Sequence, residues 1–353
     1  MSRFWSQRTH ELDPYVPGEQ PKDSQYIKLN TNENPYPPSA QVLQAIQQAS
    51  NGDLRLYSDP NADELKQTIA DYYAVEKNNV FVGNSSDEVL AHTFVALLKH
   101  DKPLLFPDIS YSFYPVYCRL FGIDYQMIPL SEHFDIRLED YAIPNGGIIF
   151  PNPNAPTGKA LDLPTIEAFL QQHPDSVIVI DEAYVDFGAD TAIALVKQYN
   201  NLLVTQTFSK SRSLAGLRVG FAVGDAELIA GLERVKNSFH PYALSREAIA
   251  GASASIKDTE SFESNRQKII KTRERITPLL EQLGFSVIPS SANFVFAKPP
   301  AGYTAEQLYQ QLKQQNILVR YFNAPRIDEY LRITIGTDDE MDALLQTLRT
   351  IQT

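Results

Sequence analysis

The stretch TFSKSRSLAGLRVG, residues 207–220, decides how this chain folds and contains its most informative lysine. It continues an apolar run, residues 202–207, that is typical of a buried strand, and Lys210 follows as that strand ends. A lysine in such a place is usually exposed on a turn. Here Ser209 and the neighbouring serines can hydrogen-bond an anion, and Arg218 can pair with one bidentately. The pattern therefore favours a lysine that forms a Schiff base with a phosphorylated aldehyde.

Two upstream segments place further polar groups near that lysine. PNPNAPTG, residues 151–158, follows a strand-like run, and VIVIDEAYVDF, residues 177–187, contains an apolar strand that ends at Asp181. Strands that recur about every thirty residues, with helices between them, form a parallel sheet whose sites lie at the carboxyl ends of the strands. We therefore expect Asp181 and Lys210 to meet at one edge. A strand-end Asp is often only a helix cap. Beside this lysine it suits the ring nitrogen of pyridoxal 5'-phosphate (PLP), because a protonated ring is the better electron sink.

With these motifs the chain resembles the fold-type I PLP-dependent aminotransferases, and among them the class-II group of histidinol-phosphate aminotransferases. The resemblance implies an enzyme that interconverts histidinol phosphate and 2-oxoglutarate with imidazole-acetol phosphate and glutamate, in histidine biosynthesis. It extends from residue 14 to residue 337, and it rests on the general motifs SKSRSLAGLR (209–218) and VIDEAY (179–184) and the more specific DPYVPGEQP (13–21), LNTNENPYPPS (29–39) and LRITIGT (331–337).

The resemblance also assigns residues to the cofactor. Lys210 would carry the cofactor and move the substrate proton, Asp181 would face the ring nitrogen, and Tyr184 would bond the phenolic oxygen. The turn GNSSDE, residues 83–88, would cradle the phosphate at a helix N-terminus, although such a turn is also an ordinary helix cap. The further contacts that the family implies are the amides of Ser85, Ser86 and Asp87 and the side chains of Ser209 and Arg218 at the phosphate, with Tyr111 flat on the ring.

One position departs from the family pattern. The residue before Pro-Thr-Gly is usually an asparagine that bonds the phenolic oxygen of the cofactor. This chain has Ala155 there, and Asn154 stands one place earlier. Either Asn154 takes over that contact, or Tyr184 makes it with less help.

Tyr57, in LYSDPNADEL, matches a tyrosine that reaches the phosphate site of a partner subunit. The resemblance therefore implies a homodimer. Without the family, this residue would be interpreted as a tyrosine on a surface loop.

The substrate residues are carried over in the same way. Arg332 matches the arginine that binds the substrate carboxylate in this class, and the phosphate of histidinol phosphate would take that place. Arg320 and Tyr15 match positions that complete a phosphate site, although Arg320 could instead form a surface ion pair. Two arginines and a tyrosine suit a dianion better than a carboxylate alone. Asn34 matches a residue that lines the substrate pocket, and it could equally be a turn residue before proline.

The composition of the chain argues against several kinds of partner and site. The chain has 353 residues, a formal net charge of −12 and a pI near 5.0, which disfavours nucleic acid and membrane surfaces as partners. The single cysteine, Cys118, excludes an intrachain disulfide and suits a cytoplasmic protein. No run is long and apolar enough to span a bilayer. With six histidines and no paired spacing, we expect no metal site at His240.

The order of elements predicts an α/β fold, with a mostly parallel central sheet flanked by helices and a smaller α+β domain. We expect an N-terminal arm at residues 1–28 that packs with the small domain. A large PLP-binding domain should follow at residues 29–243, and the small C-terminal domain at residues 244–353. One long helix should begin near residue 244.

Three alternatives stay open. The first is a broad aromatic-amino-acid aminotransferase with the same machinery. The second is a PLP-dependent decarboxylase of threonine phosphate, which shares the fold and the preference for phosphate. The third is a PLP-sensing regulator without catalysis, which the absence of a basic helix-turn-helix extension disfavours.

Overall fold

The computed structural model describes residues 2–21 and 26–352, so residues 22–25 of the expected arm lie outside the described residues. The strands are β1 (Ile27–Lys28), β2 (Val80–Asn84), β3 (Leu104–Pro107), β4 (Tyr125–Ile128), β5 (Ile148–Pro151), β6 (Ile178–Asp181), β7 (Leu202–Thr207), β8 (Val219–Gly224), β9 (Ser286–Ile288), β10 (Phe294–Lys298), β11 (Ile317–Leu318), β12 (Arg320–Tyr321) and β13 (Leu331–Thr334). The helices are α1 (Gln7–His10), α2 (Ala40–Ala49), α3 (Asp63–Tyr73), α4 (Ser85–Leu97), α5 (Tyr114–Phe121), α6 (Leu163–Gln172), α7 (Ala226–Phe239), α8 (Arg246–Lys257), α9 (Thr259–Gln282), α10 (Ala305–Gln314) and α11 (Asp338–Gln352).

The large domain is built on a seven-stranded sheet in the order β2-β8-β7-β6-β5-β3-β4. Among these described strands only β8 runs antiparallel to its neighbours. The central strands β5, β6 and β7 are rich in Ile, Val and Leu and are buried along their whole length. A parallel sheet that helices cover on both faces requires such apolar strands. The predicted α/β architecture is confirmed.

The small domain contains a four-stranded antiparallel sheet in the order β12-β13-β10-β9. Residues from this sheet and from α9, α10 and α11 form a separate apolar core. β1 pairs in parallel with β11, so the end of the arm lies against the small domain.

The chain after residue 244 differs from the sequence expectation. Instead of one long helix it forms α8 and α9, and Asp258 between them caps α9 by accepting a hydrogen bond from Ser261 N. Apolar residues of α8, such as Ile249, join the core of the large domain, whereas Ile276 of α9 joins the small-domain core. Helix α8 therefore packs with the core of the large sheet and α9 with the core of the small sheet. The domain boundary expected near residue 244 stays a prediction.

No helix in the described part of the chain combines the length and the apolar character that a bilayer crossing requires.

Candidate active site

A cavity of about 260 Å³ lies at the carboxyl ends of β5, β6 and β7, where the large sheet faces the arm and the small domain. Parallel strands end at one edge of a sheet, which is why residues far apart in sequence meet here. The residues from the sequence analysis that line it are Tyr15, Ser86, Asp87, Tyr111, Asp181, Tyr184, Ser209, Lys210, Arg218, Arg320 and Arg332. The ones that do not line it are Asn34, Tyr57, Ser85 and Asn154.

Lys210 stands on the turn after β7 and is held by residues near the end of the arm. Its Nζ donates a hydrogen bond to Thr31 O at 3.0 Å and lies 5.8 Å from the centre of the Tyr184 ring. Asn34 Nδ2 donates to the carbonyls of Lys210 and Ser211, each at 3.1 Å. Asn34 is not among the residues that line the cavity, and its amide holds the backbone of the lysine turn. A contact of Asn34 with the substrate stays a prediction.

Asp181 ends β6 and is almost fully buried. Tyr114 Oη donates to Asp181 Oδ2 at 2.9 Å. Burial raises the pKa of the Asp181 carboxyl to about 6, while the Tyr114 hydrogen bond lowers it and the charge of Asp87 raises it. The sequence analysis did not identify Tyr114 as a residue of the site. The signal was a further tyrosine three positions after Tyr111, and it is the first residue of helix α5.

The predicted phosphate turn forms as expected from its sequence, at the start of α4 after β2. Its amides, however, are not all free. Ser85 N donates to Arg218 O at 3.0 Å and Asp87 N donates to Ser85 Oγ at 3.1 Å, so of the three amides expected to bind phosphate only that of Ser86 has no partner among the described residues. β8, which begins just after Arg218, pairs with this turn and occupies the amide of Ser85, while the hydroxyl of Ser85 occupies that of Asp87. Binding of phosphate by these amides stays a prediction.

Arg218, the residue just before β8, contacts the same turn. Its Nη2 donates to Asp87 Oδ2 at 2.8 Å, and its Nη1 donates to Ala215 O at 3.2 Å. Tyr111 Oη donates to Asp87 Oδ1 at 2.8 Å. Because a guanidinium carries five N–H donors, Arg218 keeps donors for an anion beside the free amide of Ser86.

Two backbone features bring this turn together. Gly220 on β8 lies so close to the turn that a Cβ there would stand 2.3 Å from Ser86 N and 2.5 Å from Ser85 C. Ser85 has φ 75°, in the left-handed region. The close approach therefore depends on glycine at position 220.

Tyr184 lies beside Lys210 Nζ and packs edge-on against Phe294, with ring centres 5.1 Å apart. Ala155 lines the cavity and belongs to the same apolar cluster as Phe294 and Tyr184, so it offers the cavity a methyl group. Asn154 is buried away from the cavity, and its Nδ2 donates to Ile109 O and Thr157 Oγ1. Of the two options in the sequence analysis, a direct contact by Asn154 is not supported by this geometry.

Two arginines from the small domain face the cavity. Arg320 on β12 and Arg332 on β13 are directly opposite each other in the antiparallel pair. Neither forms an ion pair with any residue in the described ranges. Arg332 Nη2 donates to Asn30 O at 2.8 Å. Burial lowers the pKa of Arg332, and the positive charge of the nearby Arg320 lowers it further. Two like charges held together without a carboxylate form a site for an anion.

Tyr15 and Tyr57 have different surroundings. Tyr15, from the arm, lines the cavity and packs on Phe113 at 4.9 Å between ring centres. Tyr57 has 78% of its surface exposed and stacks on Tyr242 at 4.5 Å, in a separate surface depression that His240 also lines. Within one chain, Tyr57 is therefore not part of the cavity.

The arrangement fits a ligand that has a carbonyl group, a basic ring nitrogen and a phosphate. It offers a lysine amine for a carbonyl, a buried carboxylate for a basic ring nitrogen, and an amide with Arg218 for a phosphate. A second anion can bind between Arg320 and Arg332. Among the described residues no cluster of His, Cys, Asp and Glu is arranged to hold a metal ion.

Comparison with known proteins agrees with this chemistry. The model of the family "Aminotransferase class I and II" matches residues 24–348. Similar proteins include histidinol-phosphate aminotransferase 1 of Hydrogenovibrio crunogenus, which is 62% identical over 99% of this chain and 98% of that protein. Histidinol-phosphate aminotransferase 1 of Pseudomonas aeruginosa is 60% identical over 99% of both chains.

Among solved structures, histidinol-phosphate aminotransferase from Sinorhizobium meliloti in complex with pyridoxal-5'-phosphate superposes with a TM-score of 0.87, at 23% identity and 99% coverage of both chains. At this identity the likeness supports the fold. The family model and the curated relatives extend over nearly the whole sequence, and so this chain belongs to the class I and II aminotransferase family.

Proposed function

We propose that this protein is a PLP-dependent transaminase that interconverts histidinol phosphate and 2-oxoglutarate with imidazole-acetol phosphate and glutamate. The observation that carries this function is the convergence of Lys210 and Asp181 on one cavity. An anion-binding turn from the large domain lines the same cavity, as do two arginines of the small domain that have no carboxylate partner among the described residues. The relatives at about 60% identity bear the same activity in their names.

Each residue of the site has a separate role in transamination. When bound, the cofactor supplies a reactive carbonyl and a ring that withdraws electrons from the substrate carbon. Lys210 Nζ, as a neutral amine, accepts the proton from the carbon that bears the substrate amine and later returns a proton as a general acid. Asp181 holds a proton at the ring nitrogen through its buried carboxylate. Arg320 and Arg332 fix the substrate anion, which orients the reacting carbon towards the lysine.

Amine exchange in single turnovers tests this function. We expect histidinol phosphate and glutamate each to transfer their amino group, and phenylalanine to react much more slowly. Release of carbon dioxide from threonine phosphate without an oxo-acid acceptor would instead identify a decarboxylase. Borohydride reduction should fix the pyridoxyl group on Lys210, and Lys210→Ala should lose the visible absorption band. Labelling of a different lysine would refute the assignment.

The arginine pair provides a sharper test of the substrate. Arg332→Lys should slow both half-reactions, since a lysine offers a point charge in place of a bidentate fork. Arg320→Ala should slow the half-reaction of histidinol phosphate more than that of glutamate, because the dianion makes more contacts. Pre-steady-state kinetics of each half-reaction measures this. Equal effects of Arg320→Ala on both donors would rule out a phosphate site at this arginine.

We further infer that the active form is a homodimer in which Tyr57 reaches the phosphate site of the partner subunit. The support is an exposed apolar surface around that residue: the large side chains of Leu54, Leu56 and Tyr242 are exposed there. Arg246 Nη2 donates to Tyr57 O at 2.8 Å, which fixes the loop that presents the tyrosine. Apolar patches of this kind mark interfaces. A location in the cytoplasm is also proposed, since Cys118 is a buried free thiol.

Mixing two inactive subunits tests the shared site. In a heterodimer of Lys210→Ala and Tyr57→Ala chains, one site carries both changes and the other carries neither. We therefore expect random mixing of a symmetric dimer to restore about a quarter of the wild-type activity. If Tyr57 served its own chain, every heterodimer site would carry one change and no activity would return.

A further inference from the structure

A chain of hydrogen bonds leads from the backbone of Asn32 to the hydroxyl of Tyr184. Asn32 N donates to Thr334 Oγ1, Thr334 Oγ1 donates to Asn32 Oδ1, and Asn32 Nδ2 donates to Tyr184 Oη, each at 3.0 Å. Asn32 and Thr334 are buried, and Tyr184 lines the cavity.

The direction of every bond in this chain is fixed. A backbone N–H only donates, so the Thr334 oxygen accepts there and its own hydrogen goes to Asn32 Oδ1. The amide of Asn32 must then turn its NH2 group to Tyr184. Since Tyr184 Oη accepts that bond and makes no other hydrogen bond with the described residues, its own hydrogen is available to a ligand in the cavity.

The backbone around Asn32 holds this orientation. Its φ of 57° is left-handed, a conformation that asparagine tolerates better than most residues. Asn293 Nδ2 donates to Asn32 O at 3.0 Å, and the preceding carbonyl, Thr31 O, accepts from Lys210 Nζ. One turn therefore positions both the lysine and the tyrosine.

Neither residue 154 nor residue 155 supplies a second donor beside Tyr184. Ala155 offers a methyl group, and the amide of Asn154 donates to Ile109 O and Thr157 Oγ1 instead. The hydroxyl of Tyr184 is therefore left to make the contact with the phenolic oxygen that an asparagine at position 155 would also make.

We propose that Asn32 is a positioning residue which, oriented by Thr334, makes Tyr184 a hydrogen-bond donor to the ionised phenolic oxygen of the cofactor. This inference rests on the proposed PLP-dependent function. A bond donated to the ionised oxygen stabilises the form of the lysine-bound cofactor that has lost its proton. Losing a bond of this kind should raise the pH at which the visible absorption band titrates, by about one pH unit.

A double-mutant cycle on the loaded protein tests the proposal, with spectrophotometric titration as the readout. Tyr184→Phe should raise the titration midpoint by about one unit. Asn32→Gly, which suits the left-handed backbone, should raise it by a smaller amount and should have no effect in the Tyr184→Phe background. Equal shifts in both backgrounds, or no shift from Asn32→Gly, would overturn the role of Asn32.

A matched pair at Thr334 decides the question if Asn32→Gly fails to fold. Thr334→Val removes the oxygen that orients the amide and should raise the midpoint, whereas Thr334→Ser keeps the oxygen and should leave the midpoint unchanged. If the two variants titrate alike, the relay is wrong. A wild-type protein with no visible band at all would refute the proposed cofactor rather than this positioning role.

Discussion

Tyr114 shows how a single hydroxyl sets the state of a buried carboxylate. Asp181 sits at the end of an apolar strand, where burial alone favours its protonated form. The bond from Tyr114 Oη opposes that effect, and it comes from the first residue of α5, 67 positions away in the sequence. At this scale the sequence indicated Asp181 from its place on the strand, but it could not indicate which of several neighbouring aromatic residues turns its hydroxyl towards the carboxylate.

Replacing that hydroxyl has a specific expected effect. Tyr114→Phe should raise the pKa of Asp181 and slow turnover at neutral pH by about tenfold, since hydrogen bonds to charged groups are worth about 1.5–3 kcal/mol and each tenfold in rate about 1.4 kcal/mol. The acid limb of the kcat/KM profile should move to higher pH. Tyr141→Phe is the matched control, because Tyr141 is buried and its hydroxyl has no partner among the described residues. A rate loss with an unmoved pH profile would mean that Tyr114 acts only in packing.

At the scale of elements, the contact between β8 and the start of α4 assembles the phosphate turn. β8 runs antiparallel between β2 and β7, and its residue Gly220 pairs with Gly83 of β2 and Thr207 of β7. The strand thus joins the turn that holds Ser86 to the strand that leads to Lys210. Only a residue without a side chain allows this contact.

Gly220→Ala should therefore damage cofactor binding more than it damages the fold. The added methyl group would meet backbone atoms of Ser85 and Ser86, which must shift to accommodate it. We expect a destabilisation of about 1–3 kcal/mol and a clear loss of affinity for PLP in equilibrium titrations. Gly216→Ala, in the same motif, is the control, since a Cβ there would meet no atom within 4 Å. Equal affinities in the two variants would contradict the role of the close approach.

The elements also show where sequence reasoning reaches its limit. Strand-end residues such as Asp181 and Lys210 were predicted to converge because parallel strands share an edge, and both line the cavity. Asn34 and Asn32 lie in one motif and are chemically identical, yet only the folded backbone shows that Asn34 holds the lysine turn while Asn32 contacts Tyr184. The break between α8 and α9 was missed because helical periodicity continues through it, although Asp258 is a strong cap.

At the scale of the whole molecule, the protein keeps two acidic residues in its core. Asp181 and its neighbour Glu182 are both buried, and burial raises their pKa values to about 6 and about 7. Thr191 Oγ1 and Ala192 N donate to Glu182, each at 2.6 Å. Because the folded state binds these protons more tightly than the unfolded state, the contribution of both groups to stability falls as the pH rises from about 4 to about 7.

The cofactor-free protein should show this dependence directly. For Asp181, a folded pKa of about 6 against 3.8 in the unfolded chain corresponds to a loss of about 1 kcal/mol of unfolding free energy between pH 5 and pH 7.5. Asp181→Asn removes that loss, so the stability of the variant relative to wild type should rise by about the same amount over this range. Urea denaturation of both proteins at the two pH values measures the difference. The contribution of Glu182 to the pH dependence cancels in this comparison, because both proteins contain Glu182. Parallel pH dependences would show that Asp181 carries no raised pKa before the cofactor binds.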